Sequence, residues 1–204
     1  MKKLTYYPAV LLLIVAGMSS CGNNSASDPK ESADSSNHAK IDSAKKSDTV
    51  AAGDSHMADI KSDADFAVNA ADGGMLEVEL GKMAVKKGVS KEVKSLGAMM
   101  VKDHSKANEE LKMAAKAKNI TLPASMSEKC QKAVADLSAK QGVEFDKAYA
   151  DLMVSDHKED IDEFKKEGSK GKDATLVDWA NGKIAVLEHH LMMAENTKKA
   201  VNKN

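Results

Sequence analysis

The chain has 204 residues, 42% of them apolar and 30% charged, with 3% aromatic and a formal net charge of −1. All 30 basic residues are lysine, so the bidentate guanidinium forks that grip phosphate and guanine are missing and no net positive field attracts nucleic acid. That argues against a nucleic-acid partner, and a composition rich in Ala, Lys, Met, Leu and Glu with 3 prolines favours helices over a sandwich or barrel.

The chain opens on Lys2 and Lys3, followed by an apolar run over 9–17. Nine residues cannot cross a bilayer core of about 30 Å, which takes roughly 20, but they suit the core of a leader peptide. Met18-Ser-Ser-Cys21-Gly then resembles a bacterial lipobox, with Met18 where that pattern usually carries Leu. The expectation is a lipoprotein signal peptide over 1–20, removal of which leaves Cys21 acylated by palmitate-type chains. Cys21 then anchors the protein to a membrane of the cell envelope, the outer membrane first. An ordinary signal peptide with a coincidental cysteine is the competing reading. Each buried methylene adds about 0.8 kcal/mol, so two or more acyl chains hold durably.

From Gly22 to Ala58 the only large apolar residues are Ile41, Val50 and Met57. Residues 21–58 are therefore expected to form a lipidated, disordered tether with His38 and His56 solvated, its r.m.s. span about 30–35 Å. Beyond it, Cys130 is the one remaining thiol, so no internal disulfide is possible there. A buried small hydrophobe or idle thiol is the expected role.

Residues 59–204 carry the domain. At 100° per residue, Phe66, Ala70, Gly73, Glu77, Leu80 and Ala84 share one face of a helix over 62–87. Val93, Gly97, Met100, His104, Ala107, Leu111 and Ala115 do so over 91–118. Tyr149, Met153, His157, Asp160 and Phe164 follow over 143–167, and Leu176, Ala180, Lys183, Leu187, His190 and Ala194 over 173–199. His189 points outward. Ser90 is a candidate N-cap, and Gly171 lies in a break between the last two helices. The connection from Pro123 to Gly142, with a short helix over 127–139, is long enough to cross the length of a bundle. The expected fold is all-α, a ferritin-like four-helix bundle. Met100-Val-Lys-Asp-His104 and Met153-Val-Ser-Asp-His157 repeat at a spacing of 53 residues, a weak sign of duplication.

The segments beginning at Asp65, at Met99-Met-Val-Lys-Asp-His, at Phe145-Asp-Lys-Ala-Tyr and at Leu187-Glu-His-His-Leu resemble the bacterial domain-of-unknown-function 4142 family. The resemblance spans about 59–200. It implies a secreted or outer-membrane protein with a ferritin-like helical fold, and it implies no activity.

Each long helix places an ionisable residue on its apolar face: Glu77, His104, His157 with Asp160, and His190. Buried charge without a partner is costly. Either these groups form a hydrogen-bonded core network, or they converge on a transition metal such as Fe, Zn, Mn or Cu. At about 1.5 Å per residue, Glu77 and His104 stand at similar heights above the turn near Val89. His157 and His190 differ by roughly 7 Å measured from Gly171, which makes His190 the doubtful ligand. Val101, Val154 and Leu187 occupy the positions three before the histidines, so the Glu-x-x-His pattern of di-iron bundles is absent and ferroxidase or oxygenase chemistry is not expected. Asp103 and Asp156 point about 100° away from the adjacent histidines, so they are expected to support the cluster or lie at the surface and not to be ligands. Lys183 either reaches water along its stem or pairs with Glu77. The methionines are expected to fill the core.

No catalytic residues are assigned, and no phosphate loop, nucleophile elbow or zinc-binding cysteine pattern occurs. The reading is a lipid-anchored envelope protein with a non-catalytic binding or structural role, binding a transition metal in its core in the sharper form. A metal-dependent redox or hydrolytic enzyme and a metal-free protein-interaction module are the alternatives.

Overall fold

A computed structural model describes residues 27–47 and 54–203. The leader expected over 1–20 and Cys21 lie outside the described residues, as does the side chain of His56. Six helices and no strand occupy the described residues: α1 (Pro29–Ser47), α2 (Asp54–Lys87), α3 (Lys91–Ala117), α4 (Glu128–Ser138), α5 (Gly142–Lys170) and α6 (Ala174–Val201). Among the described residues no helix is long and apolar enough to cross a membrane.

Local chemistry sets the ends. Ser90 accepts from the Val93 amide and Ser127 from that of Cys130, while Asp173 caps α6 through the Thr175 and Leu176 amides. α2 starts at Asp54, eight residues before the expected boundary, and runs unbroken through Gly73-Gly74.

The expected disordered tether is corrected by α1. Pro29 holds the first helical position, and Asp28 Oδ1 accepts from the Lys30 and Glu31 amides at 2.8 and 3.3 Å. Docking is largely polar. Buried Asn37 donates to the Thr121 carbonyl at 2.9 Å and accepts from the Thr121 amide at 2.7 Å. Lys40 donates to the Asn119 carbonyl, and His38, expected to be solvated, lies 2.7 Å from Asp65 Oδ1. A helix held by such contacts has no apolar stripe, so hydrophobic periodicity could not reveal it.

The long helices pack as two pairs. Gly81 meets Gly97, Glu77 meets His104 and Gly74 meets Asn108, so the partners step oppositely and α2 and α3 run antiparallel. A Cβ on Gly97 would sit 2.7 Å from the Gly81 carbonyl oxygen, which is why this crossing is built from glycine on both sides. His157 with His190 and Gly168 with Asn181 make α5 and α6 antiparallel in the same way. The pairs face each other through Glu110–Lys183 between α3 and α6 and through Asn69–Glu163 between α2 and α5. Both of these contacts are also antiparallel in register, so α3 and α5 run in the same direction. The connection carrying α4 must therefore traverse the length of the helices.

The apolar core falls into three clusters, the smallest of them Ala67, Ala71, Leu111 and Leu176, and the two larger ones form layers that flank the candidate site. Leu80, Met100, Phe145, Tyr149 and Met153 fill one, and Phe66, Ile161, Phe164 and Leu187 the other. Full burial of such side chains stabilises by roughly 1.5–3 kcal/mol each. Between the layers, at the height where Met153 gives way to Ile161, lies a sheet of polar groups.

Candidate metal centre

Glu77 on α2, His104 on α3, His157 on α5 and His190 on α6 are buried in that polar layer, and Asp160 borders it half-buried. The four helices each present their ionisable residue because the 3.6-residue repeat that buries Leu80, Met100, Met153 and Ala194 also carries these positions inward. All five residues proposed from sequence come together. His190, the doubtful one, is central: its Nδ1 lies 3.2 Å from His104 Nε2 and 3.3 Å from His157 Nε2. The height argument failed because the turn between α5 and α6 is centred beyond Gly171, near Lys172, which brings the two rings closer in level.

Three imidazole nitrogens thus converge, each with its opposite nitrogen engaged. His157 Nδ1 lies 3.1 Å from the Met153 carbonyl oxygen, His190 Nε2 3.1 Å from Asp103 Oδ2, and His104 Nδ1 2.6 Å from Glu77 Oε2. A carbonyl or carboxylate only accepts, so His157 and His190 carry their protons on those outer nitrogens. Their inner nitrogens then present lone pairs to each other. Two facing lone pairs repel unless a proton or cation lies between them. Zinc binds imidazole at about 2.0–2.1 Å, which sets neighbouring nitrogens of a tetrahedron roughly 3.3 Å apart. The two separations made by His190 have that value, and the carboxylate–imidazole pairing is how metal-binding histidines are oriented.

A second donor group overlaps the first. Glu77, Asp156, His157 and Asp160 each offer a donor atom, and these lie within 4.8 Å of one another. Asp156 was expected as a cluster partner or a surface group; the fold turns it inward and leaves its buried Oδ2 without a hydrogen-bond partner. The repeated Asp-His dipeptide was the visible signal for Asp103 and Asp156. Their actual neighbours lie on other helices, which sequence spacing could not show.

Burial governs the protonation of the whole cluster. Desolvation pulls His104 and His190 down to about 4, with the carboxylate of Asp156 opposing it at His104 and that of Asp103 opposing it at His190. His157 falls to about 3, through desolvation and then the neighbouring imidazoles. Desolvation raises Glu77 and Asp160 well above the usual carboxylate range, with mutual carboxylate repulsion adding to it, and raises Asp156 to about 6. Neutral imidazole is the form that ligates metal.

Lys183 does not reach Glu77; it pairs with Glu110, which leaves Glu77 to the histidines. Met100 and Met153 are buried in the apolar layer and Met113 and Met192 are exposed, in keeping with packing and surface roles. Cys130 is buried, donates to Asp72 at 3.2 Å, and burial pushes its thiol up to about 11, an unreactive setting. A cavity of about 180 Å³ reaches Glu77, His104 and His190 past Phe164, Trp179 and Leu187.

No curated protein and no solved structure matches the chain. The family model described as Domain of unknown function (DUF4142) matches residues 46–197, from the end of α1 through most of α6. The match covers α2 to α5 whole and α6 up to residue 197, about three quarters of the chain, and the chain belongs to this family.

Proposed function

We propose that the protein is a lipid-anchored cell-envelope protein that binds a transition metal within a ferritin-like bundle of α2, α3, α5 and α6. The ligands are the inner nitrogens of His104, His157 and His190, with Glu77 and Asp103 holding two of the rings. The antiparallel pairs joined by a traversing connection support the ferritin-like arrangement. The lipobox-like sequence at Cys21 supports the anchor. One observation carries the metal reading: His190 Nδ1 lies 3.2 and 3.3 Å from the inner nitrogens of His104 and His157, all three within 4.8 Å of one another, while the outer nitrogens of His157 and His190 face acceptors elsewhere. Imidazole donors suit zinc, copper and iron over magnesium or calcium. The test is elemental analysis of the full chain purified without a metal-binding tag. One ion per chain, lost in His104→Ala and His190→Ala, supports the site; a chain that retains no zinc, copper, iron or manganese sinks it.

The cavity beside His104 and His190 favours a second reading, in which a metal held by the histidines would act on a small substrate entering from it. Metal-dependent turnover of peroxide or ferrous iron by the loaded protein would select it over binding alone.

A further inference from the structure

We infer that the polar layer holds a second cation, bound by the carboxylates of Glu77, Asp156 and Asp160, beside the imidazole site. The inference rests on the imidazole reading, because His157 has one inward nitrogen and that nitrogen is spent there. What remains of the overlapping donor group is then all oxygen, with donor atoms within 4.8 Å of one another.

Glu77 is only 2% exposed, and its two oxygens divide between the sites. Oε2 lies 2.6 Å from His104, while Oε1, aimed toward His157, has no hydrogen-bond partner. Asp156 Oδ2 is sealed from solvent and equally unpartnered. Buried carboxylate oxygens without a donor are uncommon, and two of them fall in this one cluster.

Oxygen-only donors select a hard ion, Mn(II) or a similar divalent metal, in contrast to the nitrogen site. The carboxylates also have their own approach from solvent. A cleft of about 610 Å³ between α2, α4 and α5 is lined by Glu31, Asp156, Glu159, Asp160 and Glu163, with Lys30 and Lys129 as its basic members. Such a surface concentrates cations at its mouth. Asp160 lines this cleft and also the cavity that reaches His104 and His190, so the two ions approach from different sides.

The full chain, stripped of metal, is loaded with one equivalent of Zn(II), dialysed against Mn(II), and read by elemental analysis and by the electron paramagnetic resonance of bound manganese. The expected result is one zinc and one manganese per chain. Asp156→Asn combined with Asp160→Asn keeps the zinc and weakens manganese by more than about tenfold, the scale seen when ligand-supporting groups are lost. His190→Ala loses zinc and keeps manganese. Wild-type chain that retains zinc and no manganese overturns the second site and leaves the imidazole site standing. Manganese held equally by the double variant overturns it too. No zinc in the wild type removes the imidazole reading and this one with it. The wild-type stoichiometry needs no variant, so the answer survives if the double variant fails to fold.

Discussion

Asp103 holds the ring of His190 on another helix, its Oδ2 3.1 Å from Nε2, although its own neighbour in sequence is His104. The pairing fixes which nitrogen of His190 faces the cluster and ties α3 to α6 at the level of the site. Asp103→Ala frees the ring without removing a ligand. Metal affinity is expected to fall about 10–100-fold, measured by competition with a chelator of known strength. The substitution also leaves the buried Nε2–H of His190 without its acceptor, so the metal-free chain should lose about 1–3 kcal/mol of stability.

Glu167 gives a pH signature separate from the metal. Its carboxyl is buried at the end of α5, and desolvation with repulsion from Asp63 and Asp173 raises it from 4.5 to about 7. A raised folded value means that the native state binds the proton more tightly than the unfolded chain. This contribution to stability is full below about pH 4.5 and is lost as pH rises through 7. Glu167→Gln mimics the protonated form, so it should match wild type near pH 5 and exceed it at pH 8. Water in the adjoining surface pocket screens the group, which puts the gain on the order of 1 kcal/mol. Urea denaturation of both proteins at the two pH values decides it; parallel curves would show that Glu167 titrates normally.

Asn37 tests whether α1 belongs to the domain. Replacing it by Ala leaves the Thr121 amide and carbonyl without their partners. The expected cost is about 1–3 kcal/mol, the range for an orphaned buried group. Hydrogen exchange should show α1 opening first, with the amides of α2 and α5 still protected.

Cys21→Ser probes the anchor. The substituted chain should leave the membrane fraction and appear soluble, with its helical content unchanged by circular dichroism. Continued membrane association would place the attachment elsewhere in the chain.

The long helices were legible because they are amphipathic: the repeat carrying Leu80, Met100, Met153 and Leu187 inward is strong enough to read by eye and sets α2, α3, α5 and α6. The cap at Ser90 was legible because its chemistry is local, a hydroxyl acting on an amide three residues on. The inward histidines followed from periodicity, but their heights did not, because one misplaced turn centre shifts a whole helix by several ångströms. Asp103 and Asp156 were visible as residues and not as contacts. Their partners depend on how separate helices pack, and neighbouring positions along one helix carry no record of that. α1 was missed outright: it is fixed by Asn37 and Lys40 acting on the loop after α3, some eighty residues away, and by Asp28 acting on the start of α4, 100 residues away.

The docking of α1 would also shorten the proposed tether to Cys21. A free segment from Gly22 to Ala58 would let the domain roam tens of ångströms from its attachment point. With Asp28 capping α1 and its other oxygen accepting from the Glu128 amide at 2.6 Å, the rigid body begins seven residues after Cys21. Seven residues reach at most about 25 Å when fully extended. A chain acylated at Cys21 therefore rides close to the lipid headgroups, with the start of α1 and the head of α4 held nearest to them. Asp28 and Glu31 sit at that end of the acidic cleft, so its mouth would draw on the cations that gather along the bilayer surface.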